Sequence, residues 1–88
     1  MIIVSQDKKV VVNFERTNWV QVSIVDDKKS VIEINYADGD WKMIAEYKTE
    51  ERAKEVLQEI VENYRENIIH GSSSYFSSTK VVYEMPED

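Results

Sequence analysis

From Thr49 to Gly71 the chain carries one amphipathic stripe. Ala53, Val56, Leu57, Ile60, Val61, Tyr64 and Ile68 recur at the intervals that place them on one face of a helix with 3.6 residues per turn. Thr49 offers a hydroxyl to an orphan amide of the first turn, and Glu50 and Glu51 set negative charge at the positive end of the helix dipole. Gly71 supplies the left-handed conformation that commonly ends a helix, with His70 beside the negative pole. A stripe this broad suits packing on a sheet better than a heptad seam, and the rest of the chain supplies the sheet.

Five short β segments precede the helix: Ile2 to Ser5, Val10 to Phe14, Trp19 to Val25, Ser30 to Tyr36 and Trp41 to Tyr47. After it, Gly71 to Ser78 reads as a polar loop, and Thr79 to Met85 as a returning strand stopped by Pro86. Asp38-Gly39 is a two-residue hairpin signal of type I′. Closing that turn pairs Tyr36 with Trp41, Ile34 with Met43 and Ile32 with Ala45, all apolar. For the preceding hairpin, a three-residue loop at Asp27 to Lys29 keeps the faces unmixed by pairing Ile24 with Ile32, Val22 with Ile34 and Val20 with Tyr36. The expected core face is therefore Val20, Val22, Ile24, Ile32, Ile34, Tyr36, Trp41, Met43, Ala45 and Tyr47, covered by the helix stripe. Trp19, Gln21, Ser23, Val25, Val31, Glu33, Asn35, Lys42, Ile44 and Glu46 are expected on the other face. The fold class is α+β: an antiparallel β-meander of about five strands packed by one long helix, with a C-terminal returning strand, in a single domain over residues 1–88.

Composition narrows the function classes. There is no cysteine, so no disulfide, and no apolar run approaches the ~20 residues that span a bilayer. The opening Met-Ile-Ile-Val runs into Asp7, Lys8 and Lys9 rather than a long apolar leader, so the expected location is the cytoplasm. A net charge of −6 repels phosphate backbones and disfavours direct nucleic-acid binding.

Catalysis and cofactors are not expected. One histidine and no cysteine cannot build a common metal site, and Asp26-Asp27 and Asp38-Gly39-Asp40 are turn residues rather than a calcium loop. Serines 72, 73, 74, 77 and 78 near His70 lack anything to orient them. Two glycines, one in a hairpin and one at a helix end, leave none for a phosphate cradle.

Binding is the remaining class. Trp19, Gln21, Asn35 and Lys42 on the outer sheet face mix an aromatic anchor with hydrogen-bonding groups, as recognition surfaces do. Tyr75 and Phe76 in the serine-rich loop are further contact candidates, and Arg16, Arg52, Lys42 and Lys80 are the cations to place near an anionic ligand.

Three blocks together resemble a known group: Met-Ile-Ile-Val-Ser-Gln-Asp-Lys leading to Val12-Asn13-Phe14, the run Tyr47 to Leu57, and Tyr83-Glu84-Met85-Pro86-Glu87-Asp88. The chain is similar to short uncharacterised proteins encoded by phages and prophages of Gram-positive bacteria, which would place it in the cytoplasm of the host bacterium. The resemblance implies a counter-defence accessory protein. Its leading form is a homo-oligomer that sequesters a nucleotide-type signal, such as a cyclic nucleotide or an ADP-ribose-type molecule, between subunits. A second form is an acidic inhibitor of a basic host protein, with Glu50, Glu51, Glu55, Glu59, Glu62 and Glu66 as its anionic side, and a third is a structural or regulatory phage protein with a protein partner.

Overall fold

The structure, a computed structural model, describes residues 1–71 and 82–88, with the side chains of 1–66 and 82–88. It is α+β, as the periodicities require. Strands β1 (Ile2–Val4), β2 (Val11–Asn13), β3 (Thr17–Asp26), β4 (Lys29–Tyr36) and β5 (Trp41–Tyr47) are followed by helix α1 (Glu50–Gly71) and β6 (Val82–Glu84). The strands divide between two sheets: an antiparallel meander β3-β4-β5, and a smaller sheet β2-β1-β6 in which β6 returns parallel to β1. The residues that follow α1 up to β6 lie outside the description, among them Tyr75, Phe76 and Lys80.

The helix starts as its sequence dictates, with the Thr49 hydroxyl accepting from the Arg52 amide at 3.1 Å. Its stripe crosses β3, β4 and β5. Ala53, Val56 and Ile60 meet Ile32, Ile34, Ile44, Ala45 and Tyr47 in one core, to which the small sheet adds Met1, Ile3, Val12, Tyr83 and Met85. Val61, at the margin of the stripe, is exposed. The helix runs through Gly71, one residue farther than its sequence suggests.

Both hairpins depart from the expected register, and each departure has a local cause. The β4–β5 connection is a three-residue loop, in which the Gly39 amide returns to the Tyr36 carbonyl at 3.0 Å and the Tyr36 amide to the Asp40 carbonyl at 2.7 Å. Only Gly39, at φ +100°, takes the left-handed conformation; Asp38 does not, so the I′ turn is replaced by a turn closed by a left-handed glycine. The extra loop residue shifts the pairing to Ile34 with Lys42 and Glu33 with Met43. An unpaired residue at Ile44 shifts it back, so that Ile32 faces Ala45 as expected. The bulge turns Ile44 into the core and leaves Trp41 and Met43, both expected inside, 63% and 49% exposed.

The β3–β4 loop is two residues, Asp27 and Lys28, and a bulge at Val25 restores the separation of faces that such a loop would otherwise scramble. Val22 consequently faces Ile32 and Val20 faces Ile34, with Ile24 opposite Ser30. Ile24, expected in the core, is 61% exposed as a result. Val31 keeps its expected outer face, opposite Ser23 and Glu46, but is buried there.

The two sheets are stitched along the outer edge of β5 by one residue. The Gln6 amide donates to the Ile44 carbonyl at 2.9 Å. Its side-chain oxygen accepts from the Glu46 amide at 2.9 Å, and its two side-chain N–H groups are shared among the carbonyls of Glu46, Pro86 and Glu87, which lie 2.9, 3.1 and 2.9 Å from the nitrogen. Gln6 thus stands in for a neighbouring strand on β5 and fastens the C-terminal segment to it. Upstream, Ser5 and Asp7 fix the turn that presents Gln6: the Ser5 hydroxyl donates to Asp7 at 2.7 Å and accepts from the Val10 amide at 3.1 Å.

Candidate functional site

Alternation along β3 sends Trp19, Gln21 and Ser23 away from the helix, because their neighbours Val20 and Val22 pair with the buried Ile34 and Ile32. The ladders align these residues into cross-strand rows. Trp19 lies beside Asn35, and Asn35 beside Trp41. The next row is Gln21, Glu33 and Met43. Two indoles therefore flank one amide on a face the helix leaves uncovered, with a thioether in the adjoining row.

The polar groups of this face bond to one another. The Asn18 side-chain nitrogen donates to the Asn35 side-chain oxygen at 2.8 Å and to the Tyr36 carbonyl at 3.1 Å. Asn35 in turn donates to the Gly39 and Asp40 carbonyls at 3.3 and 3.1 Å, which ties the loop to the sheet. Gln21 donates to Glu33 and Ser23, both at 3.2 Å, and the Ser23 hydroxyl donates to the Glu33 carboxylate. These bonds hold the face rigid and leave the apolar side chains as its outward contact groups. Trp19 is 41% exposed, less than Trp41 but enough to touch a partner.

Of the residues marked by sequence, the fold brings Trp19, Gln21 and Asn35 together. Arg16 reaches the loop end of the same sheet: its carbonyl accepts from the Ala37 amide at 3.1 Å, and it lines a shallow cavity of about 240 Å³ with Tyr36, Ala37 and Asp38. Lys42 is separated from the group, since the shifted register sets it opposite Ile34 beside a cavity of about 330 Å³ near Ser5 and Gln6. Arg52 belongs to another cluster, over the ring of Tyr47 and bonded to the Asp88 carbonyl at 3.0 Å and to Glu55 at 3.2 Å. Tyr75, Phe76 and Lys80 fall outside the described residues.

Trp41 and Met43 are the site residues that the sequence reading misplaced. The signal was present in Met43-Ile44-Ala45, three apolar residues in succession where a strand with one wet face should alternate. Such a run marks an inserted residue.

Two tyrosines near Arg52 keep their protons well into alkali. Burial pushes the Tyr47 hydroxyl up to about 12 against the opposing pull of Arg52, and it donates to the Pro86 carbonyl at 2.7 Å. Burial, helped by a 2.9 Å bond to Glu59, raises Tyr83 as well. Both act as hydrogen-bond donors that hold the C-terminal segment and β6 against the core. Among the described residues no three His, Cys, Asp or Glu side chains gather as a metal site, and no helix is long and apolar enough to cross a membrane.

Comparison with protein-family models, with curated proteins and with solved structures returned no match.

Proposed function

We propose that this is a non-enzymatic binding protein that docks on a protein partner through the uncovered face of its meander, with Trp19, Trp41 and Met43 as anchors. The observation that carries the reading is the row Trp19–Asn35–Trp41, two exposed indoles beside a polar group already fixed by its own bonds. Aromatic anchors on a rigid surface dominate binding energy at protein interfaces. A fixed polar network keeps the ordering cost of binding low.

Among the described residues the face is open: of the two cavities described above, one reaches its margin at Met43 and the other lies at the loop end of the sheet, whereas small-molecule sites are concave. That favours a macromolecular partner over a nucleotide held by one subunit. Sequestration of a nucleotide-type signal is the second reading, favoured by the indoles as stacking surfaces and by Arg16 at the same end of the sheet; it needs a further subunit to close a pocket. The acidic-inhibitor reading is weaker because the helix acids are shared with bases, Glu50 with Lys54 and Glu55 and Glu59 with Arg52. A phage-type setting, in which such a protein acts stoichiometrically on a host component, is part of the proposal on the strength of the resemblance alone.

The test uses the purified protein as bait in Gram-positive lysate, beside the double variant Trp19→Ala/Trp41→Ala, with bound proteins and nucleotides identified by mass spectrometry. The expected result is a protein retained by the unaltered chain and weakened by at least ~30-fold in the variant, in keeping with hot-spot losses of ~2 kcal/mol or more. The variant's melting temperature should barely move. Equal retention by both baits contradicts the proposal.

A further inference from the structure

The meander has two edges, and they are treated differently. Along β5, Gln6 occupies the backbone groups of Ile44 and Glu46. Along β3, no strand other than β4 is paired among the described residues. An unpaired edge presents amides and carbonyls to any extended chain, and proteins ordinarily guard it with lysine, proline or other charged groups. β3 has no such guard over most of its length. In a chain with a net charge of −6, Thr17 to Val25 is uncharged and free of proline, and Asp26 ends the strand. The bulges at Asn18 and Val25 bracket a regular run from Trp19 to Ile24, and the large hydrophobic residues exposed on β3 are Trp19, Ile24 and Val25.

We propose that β3 is the dimerisation edge of this protein: two copies pair β3 with β3, antiparallel about a two-fold axis at Val22, and merge their meanders into one continuous sheet. Charge selects a second copy as the occupant. Joining two acidic chains is favourable only where like charges do not meet across the ladder, and β3 suits this best: its one charge, Asp26, stands at the end of the strand, whereas β4 carries Lys29 and Glu33 and β5 carries Lys42 and Glu46.

The side chains select the register. Residues directly opposite in an antiparallel pair share a face, so a two-fold self-pairing must set even positions against even and odd against odd. Centring on Val22 places it against itself, Val20 against Ile24 and Gln21 against Ser23, and brings Trp19 alongside Val25. Each exposed apolar residue of the strand then meets an apolar neighbour. Centring on Gln21 instead sets Trp19 against Ser23 and Ile24 against Asn18, in polar company. In the Val22 register Asp26 falls beside Asn18 of the copy, and the two Asp26 carboxylates lie at opposite ends. This pairing concerns the edge of the sheet and does not depend on the outer face binding anything.

The experiment needs only purified protein. Light scattering at about 100 µM should give the dimer mass, an edge interface being small enough for micromolar affinity. Ile24→Lys, at an exposed position, should weaken association by about tenfold or more while the circular dichroism spectrum is retained. Because the chain lacks cysteine, Val22→Cys should form a covalent dimer under mild oxidation and Gln21→Cys should not. If Val22→Cys unfolds, mixing Val20→Cys with Ile24→Cys reads the same register. A monomer at that concentration overturns the proposal, as does a dimer indifferent to Ile24→Lys or one that cross-links through Gln21→Cys alone.

Discussion

Replacing Ile32 by alanine is expected to lower the unfolding free energy by about 2–5 kcal/mol, the range for truncating a fully buried aliphatic side chain whose cavity cannot collapse. Ile32 is 0% exposed and sits on the central strand, between Val22 on β3 and Ala45 on β5, in the cluster that includes Val56 and Ile60. A domain of 88 residues with no disulfide has little stability to spare, so the loss is a large share of the whole. The measurement is the urea midpoint at unchanged slope. Met43→Ala is the matched control. Sequence alternation alone would give it the same cost, whereas its outward position gives it under about 1 kcal/mol. Equal losses at the two positions would mean that the bulge at Ile44 does not redirect the strand.

Gln6 carries the second large effect. Gln6→Ala removes the amide that accepts from the Glu46 N–H and shares its two N–H groups among the carbonyls of Glu46, Pro86 and Glu87. Water reaches most of these contacts, so the expected cost is about 1–3 kcal/mol rather than the sum of as many buried bonds. Gln6→Glu should be no better, because a carboxylate cannot donate to the three carbonyls. Faster hydrogen exchange at the Glu46 amide would locate the loss, and an unchanged rate there would remove Gln6 from its assigned role.

The same C-terminal fastening carries a pH dependence. Tyr47 has a folded value of about 12 against 10.0 for an unperturbed tyrosine, so the folded state holds this proton more tightly than the unfolded chain does. Its contribution to stability is complete below pH 10, and it fades as pH rises through about 12. Thermal melts across that window should show the fall, and Tyr47→Phe should reduce it, leaving the part that belongs to the likewise raised Tyr83.

What was legible in the sequence is what local geometry controls. The helix stripe of Ala53, Val56 and Ile60, and the alternation Val20, Val22, Ile32, Ile34, each follow from a fixed number of residues per turn or per pleat, and they met in the core as expected. The bulges at Asn18, Val25 and Ile44 were not legible in that way. An inserted residue is tolerated when something distant receives it. Ile44 gains a place in the core and a donor for its carbonyl from Gln6, on the far side of the chain. Turn chemistry misled for a related reason: Asp38-Gly39 fits more than one loop, and the longer loop is stabilised here by Asn35, which bonds its carbonyls from the sheet. The candidate site was half visible in consequence. Trp19, Gln21 and Asn35 were found on the correct face, while Trp41 and Met43 were hidden behind the wrong register.

Helix α1 seals one face of the meander and leaves both indoles on the other. Nuclear Overhauser contacts in isoleucine- and valine-methyl-labelled protein test it directly. Contacts are expected between Ile60 or Val56 and Ile32 or Ile34, and none from those helix methyls to the indole rings of Trp19 and Trp41. Indole contacts to Val56 or Ile60, or their absence at Ile32 and Ile34, would contradict it.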